Sequence, residues 1–258
     1  MKLFKNFFIT IKTKGFVTAM LAIKNFFIIL LVKFFSSSVL IKKKIFNYKM
    51  FLDPRDKGIS RTLLLFGERE LDHKIILEKV LKKNMKIFDI GANIGIYSLY
   101  SAIKNENKVY AFEPLSANYN NLLDRINLNK LNNCQAFCFA VSNKISLSHI
   151  GVKNMHEGVA DNVVGSKGDY YHGCVEIHLD YLVGKKVLPQ PDYIKIDVDG
   201  FEDRVYKGAM STIQQAKSVL IEVDQKHEHI VSNIINLGLR LESKHRRNSE
   251  EYNYIFVK

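Results

Sequence analysis

The chain is poor in cysteine. Cys134, Cys138 and Cys174 cannot close a paired disulfide framework, and there is no Cys-x-x-Cys pair. That excludes a zinc ribbon and a thioredoxin-like redox site and favours a reducing compartment. Acidic residues are missing altogether from residues 1–52, which carry ten lysines: Lys2, Lys5, Lys12, Lys14, Lys24, Lys33, Lys42, Lys43, Lys44 and Lys49. Of the 38 lysines and arginines these ten leave 28, against 26 acidic side chains, so the net charge of +12 belongs to the N-terminus and the body is nearly neutral. A duplex-binding enzyme would line its cleft with basic groups, because phosphate neutralisation supplies most non-specific affinity. An Asn/Asp-Pro-Pro-Tyr loop for stacking a flipped base is also absent, and nucleic acid is therefore not expected as a partner. What is present, 47% hydrophobic and 25% charged residues over 258 positions, is ordinary globular composition.

The basic N-terminus is also apolar, with Phe7-Phe8-Ile9, Gly15 to Ile23, Phe26 to Val32 and Phe34-Phe35. A membrane span needs about 20 mostly apolar residues, and Lys24 and Lys33 interrupt the run. The pattern predicts a Lys- and Phe-rich helix lying on an anionic membrane surface. Its alternatives are a tail packed on the domain or on a partner subunit, a signal-like segment, or a start at Met20 or Met50. The expected location is cytoplasmic and peripheral to the inner membrane face.

Residues 53–84 read as a helical lead-in, with apolar positions from Leu63 to Leu81 at spacings near three and four. From residue 85 to 258, short apolar runs alternate with longer amphipathic stretches, the signature of βαβ units around a parallel sheet. Strands are predicted at 86–90, 108–112, 135–141, 193–198, 218–223 and 252–258, and helices at 94–105, 116–131, 202–215 and 227–237. No repeat or Pro-rich linker divides this region. Residues 142–175, with five glycines and weak alternation, read as an insertion of hairpins and loops that is either a substrate-selecting element or a solvated connection.

The first strand runs Asp89-Ile90-Gly91-Ala92-Asn93-Ile94-Gly95 straight into a helix. Small residues there let a ligand approach the backbone, and the helix offers unpaired N–H donors. The Gly-x-Gly-x-x-Gly of a dinucleotide site is missing, and Asp89 suits a cationic ligand better than a pyrophosphate. Glu113 ends the second strand about twenty residues after the glycines, where an acid can accept from two ribose hydroxyls. The pair points to a nucleoside cofactor bearing a sulfonium. A third strand ends Lys195-Ile196-Asp197-Val198-Asp199-Gly200-Phe201-Glu202, bringing three acids and a lysine to the same edge. Asp199 and Glu202 alone would suit helix capping, whereas Asp197 must find donors or carry a perturbed pKa.

These segments, with Ala111-Phe112-Glu113-Pro114, Ala140-Val141-Ser142, Leu179-Asp180 and Val205-x-Lys207-Gly208-Ala209, resemble the successive motifs of FkbM-type S-adenosylmethionine-dependent methyltransferases over about residues 85–225. One departure is Asp199, where the family usually has glutamate. The resemblance implies a class I methyltransferase fold, α/β with a Rossmann-like, mostly parallel seven-stranded sheet whose last strand is antiparallel. It also implies O-methylation of a sugar, glycan or other hydroxylated metabolite. Carried over, it gives Asp89, Gly91, Asn93 and Gly95 the methionine part of S-adenosyl-L-methionine, Glu113 the ribose, Pro114 and Ala140 the adenine surroundings, and Asp197 the reacting end.

The expected general base is Asp197, with Glu202 or Glu222 as alternatives, and Lys195 either neutralises the acids or stabilises developing negative charge. No metal is expected: His227 and His229 lie on different sides of a helix, and Cys134 and Cys138 read as small core residues. His172 and His178 read as insertion-surface residues or, alternatively, substrate contacts. The basic Lys244-His245-Arg246-Arg247 cluster reads as a solvated turn. The rival readings are a nicotinamide oxidoreductase and a membrane-tethered module that binds a nucleoside cofactor without turnover.

Overall fold

The computed structural model describes residues 16–34, 40–45, 48–53, 80–103, 106–152, 164–246 and 251–258. The chain divides into two compact units, residues 1–74 and 75–258. Most of the helical lead-in expected over 53–84 lies outside the described residues.

The first unit contains helix α1 (Phe16–Phe34) and a hairpin of β1 (Ile41–Ile45) and β2 (Tyr48–Leu52), paired from Ile41↔Leu52 to Ile45↔Tyr48. The hairpin was not legible in the lysine run. Pairing Lys43 with Met50 and Ile41 with Leu52 puts Met50 and Leu52 on one face, and both are buried. Among the described residues no helix is long and apolar enough to cross a membrane.

In chain order the second unit begins β3 (Lys86–Ile90), α2 (Ile96–Ile103), β4 (Lys108–Phe112), α3 (Ser116–Leu128) and β5 (Cys134–Phe137). It continues with β6 (Ala140–Val141), β7 (Ser146–Val152), β8 (Tyr170–Ile177), α4 (Leu179–Gly184), β9 (Tyr193–Ile196) and α5 (Glu202–Gly208). The last elements are α6 (Met210–Gln215), β10 (Ser218–Asp224), α7 (His229–Asn236), β11 (Arg240–Arg246) and β12 (Glu251–Val257). Seven strands form the central sheet in the order β11-β12-β10-β9-β3-β4-β5. The five from β10 to β5 are parallel, while β12 runs antiparallel to both β10 and β11. The last strand is thus antiparallel, as the resemblance implies. Every residue of β9 is buried, as is all of β10 except Asp224. This is why those segments read as continuous apolar runs rather than alternating ones. Phe88, Phe112, Ile194, Ile196, Val219 and Ile221 belong to the main core.

Four expectations need correction. The strand predicted over 135–141 is two strands: β5 joins the central sheet, while β6 pairs with β8, Ala140 opposite Glu176. The helix predicted over 202–215 breaks at Ala209, and a Cβ on Gly208 would lie 1.8 Å from the Ser142 carbonyl oxygen, so α5 is tied to the β6 turn there. The basic cluster at 244–246 is not a turn but part of edge strand β11, with the Lys244 ammonium 4.1 Å from the Tyr252 ring centre and 4.9 Å from that of Tyr254. Helix α4 was not expected, and His178 is its N-cap: Tyr181 N–H donates to His178 Nδ1 at 3.2 Å.

The insertion forms a three-stranded sheet, β6-β8-β7, with β7 and β8 antiparallel from Ser146↔Glu176 to Val152↔Tyr170. Its inner positions Ile150, Val152 and Cys174 join the main core. Residues 153–163 lie outside the description.

Candidate active site

The site is assembled where β3, β4 and β9 end. At Gly91 φ is +75°, and a Cβ would lie 1.8 Å from the Asp197 carbonyl oxygen. Glycine is needed there twice over, for the left-handed backbone and for the approach of β9. The Gly91 and Ala92 N–H groups both donate to the Phe112 carbonyl at 3.0 Å, and the Asp197 N–H donates to Ile90 at 3.1 Å. These bonds lock the three strand ends together. After β9 the chain passes through two left-handed residues, Asp199 (φ +48°) and Gly200 (φ +86°). A short polar side chain tolerates that conformation better than a longer one, which gives the departure from the family's glutamate at 199 a local backbone reason.

Between these ends opens a cleft of about 570 Å³, counting the space open to solvent at its mouth. Gly91, Asn93, Glu113, Pro114, Ala140 and Asp197, six of the expected site residues, line it. Phe112, Asn118, Phe139, Val141, Val164, Val198, Asp199 and Phe201 complete the wall. Val164 comes from beyond the break in the insertion, so the insertion contributes to the cleft.

Glu113 is 6% exposed. Its Oε2 accepts the Asn93 N–H at 2.8 Å and its Oε1 the Leu115 N–H at 3.0 Å. Burial pushes its pKa up to about 7, against the lowering effect of these bonds and of Asn118. Asn93 is left-handed (φ +50°), and its buried Oδ1 has no hydrogen-bond partner. An unpaired acceptor and a buried carboxylate facing one cleft mark a place built for donors that a ligand would bring.

Asp89 and Gly95, expected beside the cofactor, are not among the residues that line the cleft. Asp89 is fully buried: Ser98 Oγ donates to Oδ2 at 2.5 Å, and Lys195 Nζ donates to Oδ1 at 3.2 Å. Its side chain faces α2 and supports the loop from below. Gly95 (φ +86°) shapes the entry to α2, its carbonyl accepting the Leu99 N–H at 2.9 Å. Lys195 is 3% exposed and lies 3.1 Å from Asp197 Oδ2. Burial lowers its pKa, but Asp197 and Asp89 outweigh burial and hold the ammonium above the ordinary lysine range. Of the two roles expected for Lys195, this geometry fits neutralisation of the acids.

Glu202 Oε1 accepts the Gly200 N–H at 2.9 Å, and Glu222 faces Asn253 across the β10–β12 ladder; neither lines the cleft. His172 is likewise outside the cleft wall. Of the acids expected as base, Asp197 alone lines the cleft. Sequence reasoning missed Asn118, one turn beyond Pro114, which lines the cleft. His227 is held by Asp224, whose Oδ1 accepts the His227 N–H at 2.9 Å and lies 2.8 Å from His227 Nδ1, away from the cleft wall. Among the described residues no cluster of His, Cys, Asp or Glu is arranged to hold a metal ion.

The sheet order, the glycine-shaped turn after the first strand and the buried acid ending the second define a class I methyltransferase. Residues 89–256 match the methyltransferase FkbM domain, and the chain belongs to that family of S-adenosylmethionine-dependent enzymes. It is 25% identical over 162 residues to the hexuronic acid methyltransferase AglP of Haloferax volcanii, a match covering 62% of this chain and 63% of that protein. The chain thus spans less than two thirds of this relative. The fold is similar to that of the FkbM methyltransferase of Methylobacillus flagellatus KT, with a TM-score of 0.50, 18% identity, and coverage of 76% of this chain and 52% of that one. Family membership removes the nicotinamide oxidoreductase reading.

Proposed function

We propose that this protein transfers a methyl group from S-adenosyl-L-methionine to a hydroxyl of a sugar or glycan, with Asp197 as the base. The observation that carries this reading is the cleft itself, which both Glu113 and Asp197 line. The residues fit the cofactor: Glu113 is the buried acceptor for ribose hydroxyls, and the unpartnered Asn93 Oδ1 beside Gly91 is an acceptor for the ammonium of its amino-acid part. When bound, the cofactor supplies an activated methyl group on a sulfonium. The chain then has to align an incoming oxygen and take its proton. Asp197 is the carboxylate on the cleft wall nearest Lys195, which balances it and Asp89 together. The choice of a sugar hydroxyl is supported by AglP, which is named for a hexuronic acid.

The test has two arms. Mass spectrometry of glycans and glycolipids with and without the gene should show one methyl increment lost from a saccharide; loss from a non-saccharide alone would overturn the acceptor class. With that acceptor, Asp197→Asn should keep cofactor affinity in calorimetry while turnover collapses. Full activity in the variant would remove Asp197 as the base.

A further inference from the structure

In α1 the usual burial of a surface helix is inverted. Two of its small residues are covered, Ala19 at 0% and Ala22 at 8% exposure, whereas four large apolar residues on one side are bare: Phe16 63%, Met20 48%, Phe27 57% and Leu31 57%. At 100° per residue those four side chains fall within about 60° of arc, and Lys24, also exposed, borders them. A continuous apolar stripe of this kind marks a surface meant to be covered. Charge says by what. Residues 1–52 carry no acid at all. The hairpin of the same unit pairs Lys44 with Lys49 and Lys42 with Phe51, which places Lys42, Lys44 and Lys49 on one face, all exposed.

We infer that α1 and the β1–β2 hairpin seat the protein on an anionic lipid bilayer, with the α1 stripe in the interfacial layer and the lysine face of the hairpin against the headgroups. Each lysine near such a surface adds attraction, and the apolar side chains add burial in the headgroup and acyl boundary. The helix lies on the bilayer and does not cross it: Lys24 borders the stripe, and no described helix is long and apolar enough to span. A protein partner or a second copy would be expected to offer acids to so basic a face, and residues 1–52 of a second copy have none to offer. The inference is independent of the methyl-transfer reading, since it uses no residue of the cleft.

The experiment is co-sedimentation of the full chain with phosphatidylcholine vesicles and with vesicles in which about a third of the lipid is phosphatidylglycerol. Binding should favour the anionic vesicles and weaken as salt is raised. Lys42→Glu/Lys44→Glu/Lys49→Glu should lower the partition coefficient by about 100-fold or more. Phe27→Ser/Leu31→Ser, at exposed positions that leave folding intact, should abolish the binding that survives high salt. Cofactor affinity, read by calorimetry, should be unchanged in both variants. Equal binding to the two vesicle types, or wild-type binding by Phe27→Ser/Leu31→Ser, would overturn the inference. So would a lipid-free dimer that this variant dissociates, because a second copy would then cover the stripe.

Discussion

The Lys195 ammonium lies 3.1 Å from the Asp197 carboxylate, beneath the cleft wall that Asp197 helps to form. The same ammonium reaches Asp89 at 3.2 Å, so one buried cation serves an acid ahead of the Gly91 turn and an acid on the cleft wall. Through it β3 and β9 are joined by charge as well as by their ladder.

Removing that cation should be costly. Lys195→Met leaves the fully buried Asp89 and the partly exposed Asp197 without their partner, and breaking a buried pair in this way costs about 3–5 kcal/mol. Urea denaturation at neutral pH should show a loss of this size. Because the folded pKa of Lys195 is raised, the wild-type pairing is fully present at neutral pH and is lost only above the ordinary lysine range. A neutral or stabilising effect at pH 7 would contradict the pairing.

Two left-handed glycines should respond differently to the same substitution. A Cβ on Gly200 meets nothing within 4 Å, so Gly200→Ala should cost only the backbone term, about 1–2 kcal/mol. Gly91→Ala adds a collision with the Asp197 backbone and should cost clearly more, with loss of cofactor binding. Equilibrium unfolding of the two variants side by side checks the ranking.

Glu113 should make cofactor binding depend on pH. Its folded pKa is raised from 4.5 to about 7, so the proton stabilises the empty protein most fully below 4.5, and that contribution is lost as pH rises through about 7. Ribose hydroxyls donate to the ionised form, so affinity should fall below pH 7, approaching about tenfold per pH unit. Calorimetry should also show proton release on binding. In Glu113→Gln both effects should disappear.

Asn93→Gly should separate stability from function. It removes a buried acceptor that has no partner and relieves a left-handed asparagine, so the empty protein should be unharmed or slightly more stable. Cofactor affinity should fall about tenfold or more, the worth of one buried hydrogen bond to a charged donor. Thermal unfolding and a binding titration on one preparation test both halves.

Much of the cleft was legible because its parts are local. Gly91, Asn93, Glu113 and Asp197 each sit at the end of an apolar run, where side-chain type and position along the strand suffice to suggest a role. Burial against another element was not legible. Asp89 reads as a ligand group until α2 is seen to deliver Ser98 to it, and the two roles open to Lys195 are not distinguished until Asp89 and Asp197 are seen beside it. Strand β11 escaped notice because an edge strand of charged and polar residues carries little hydrophobic period, and its ladder with β12 is a non-local fact.

The residues themselves determined the parallel sheet, the nucleoside-type acid Glu113 and the uneven distribution of charge, since each follows from periodicity, spacing or counting along one chain. Tertiary structure alone decided which acids face the cleft and that α1 leaves Phe16 and Phe27 exposed. Those outcomes depend on how separate segments pack, and the free energy of a charge or an apolar side chain is set by what surrounds it rather than by its place in the sequence.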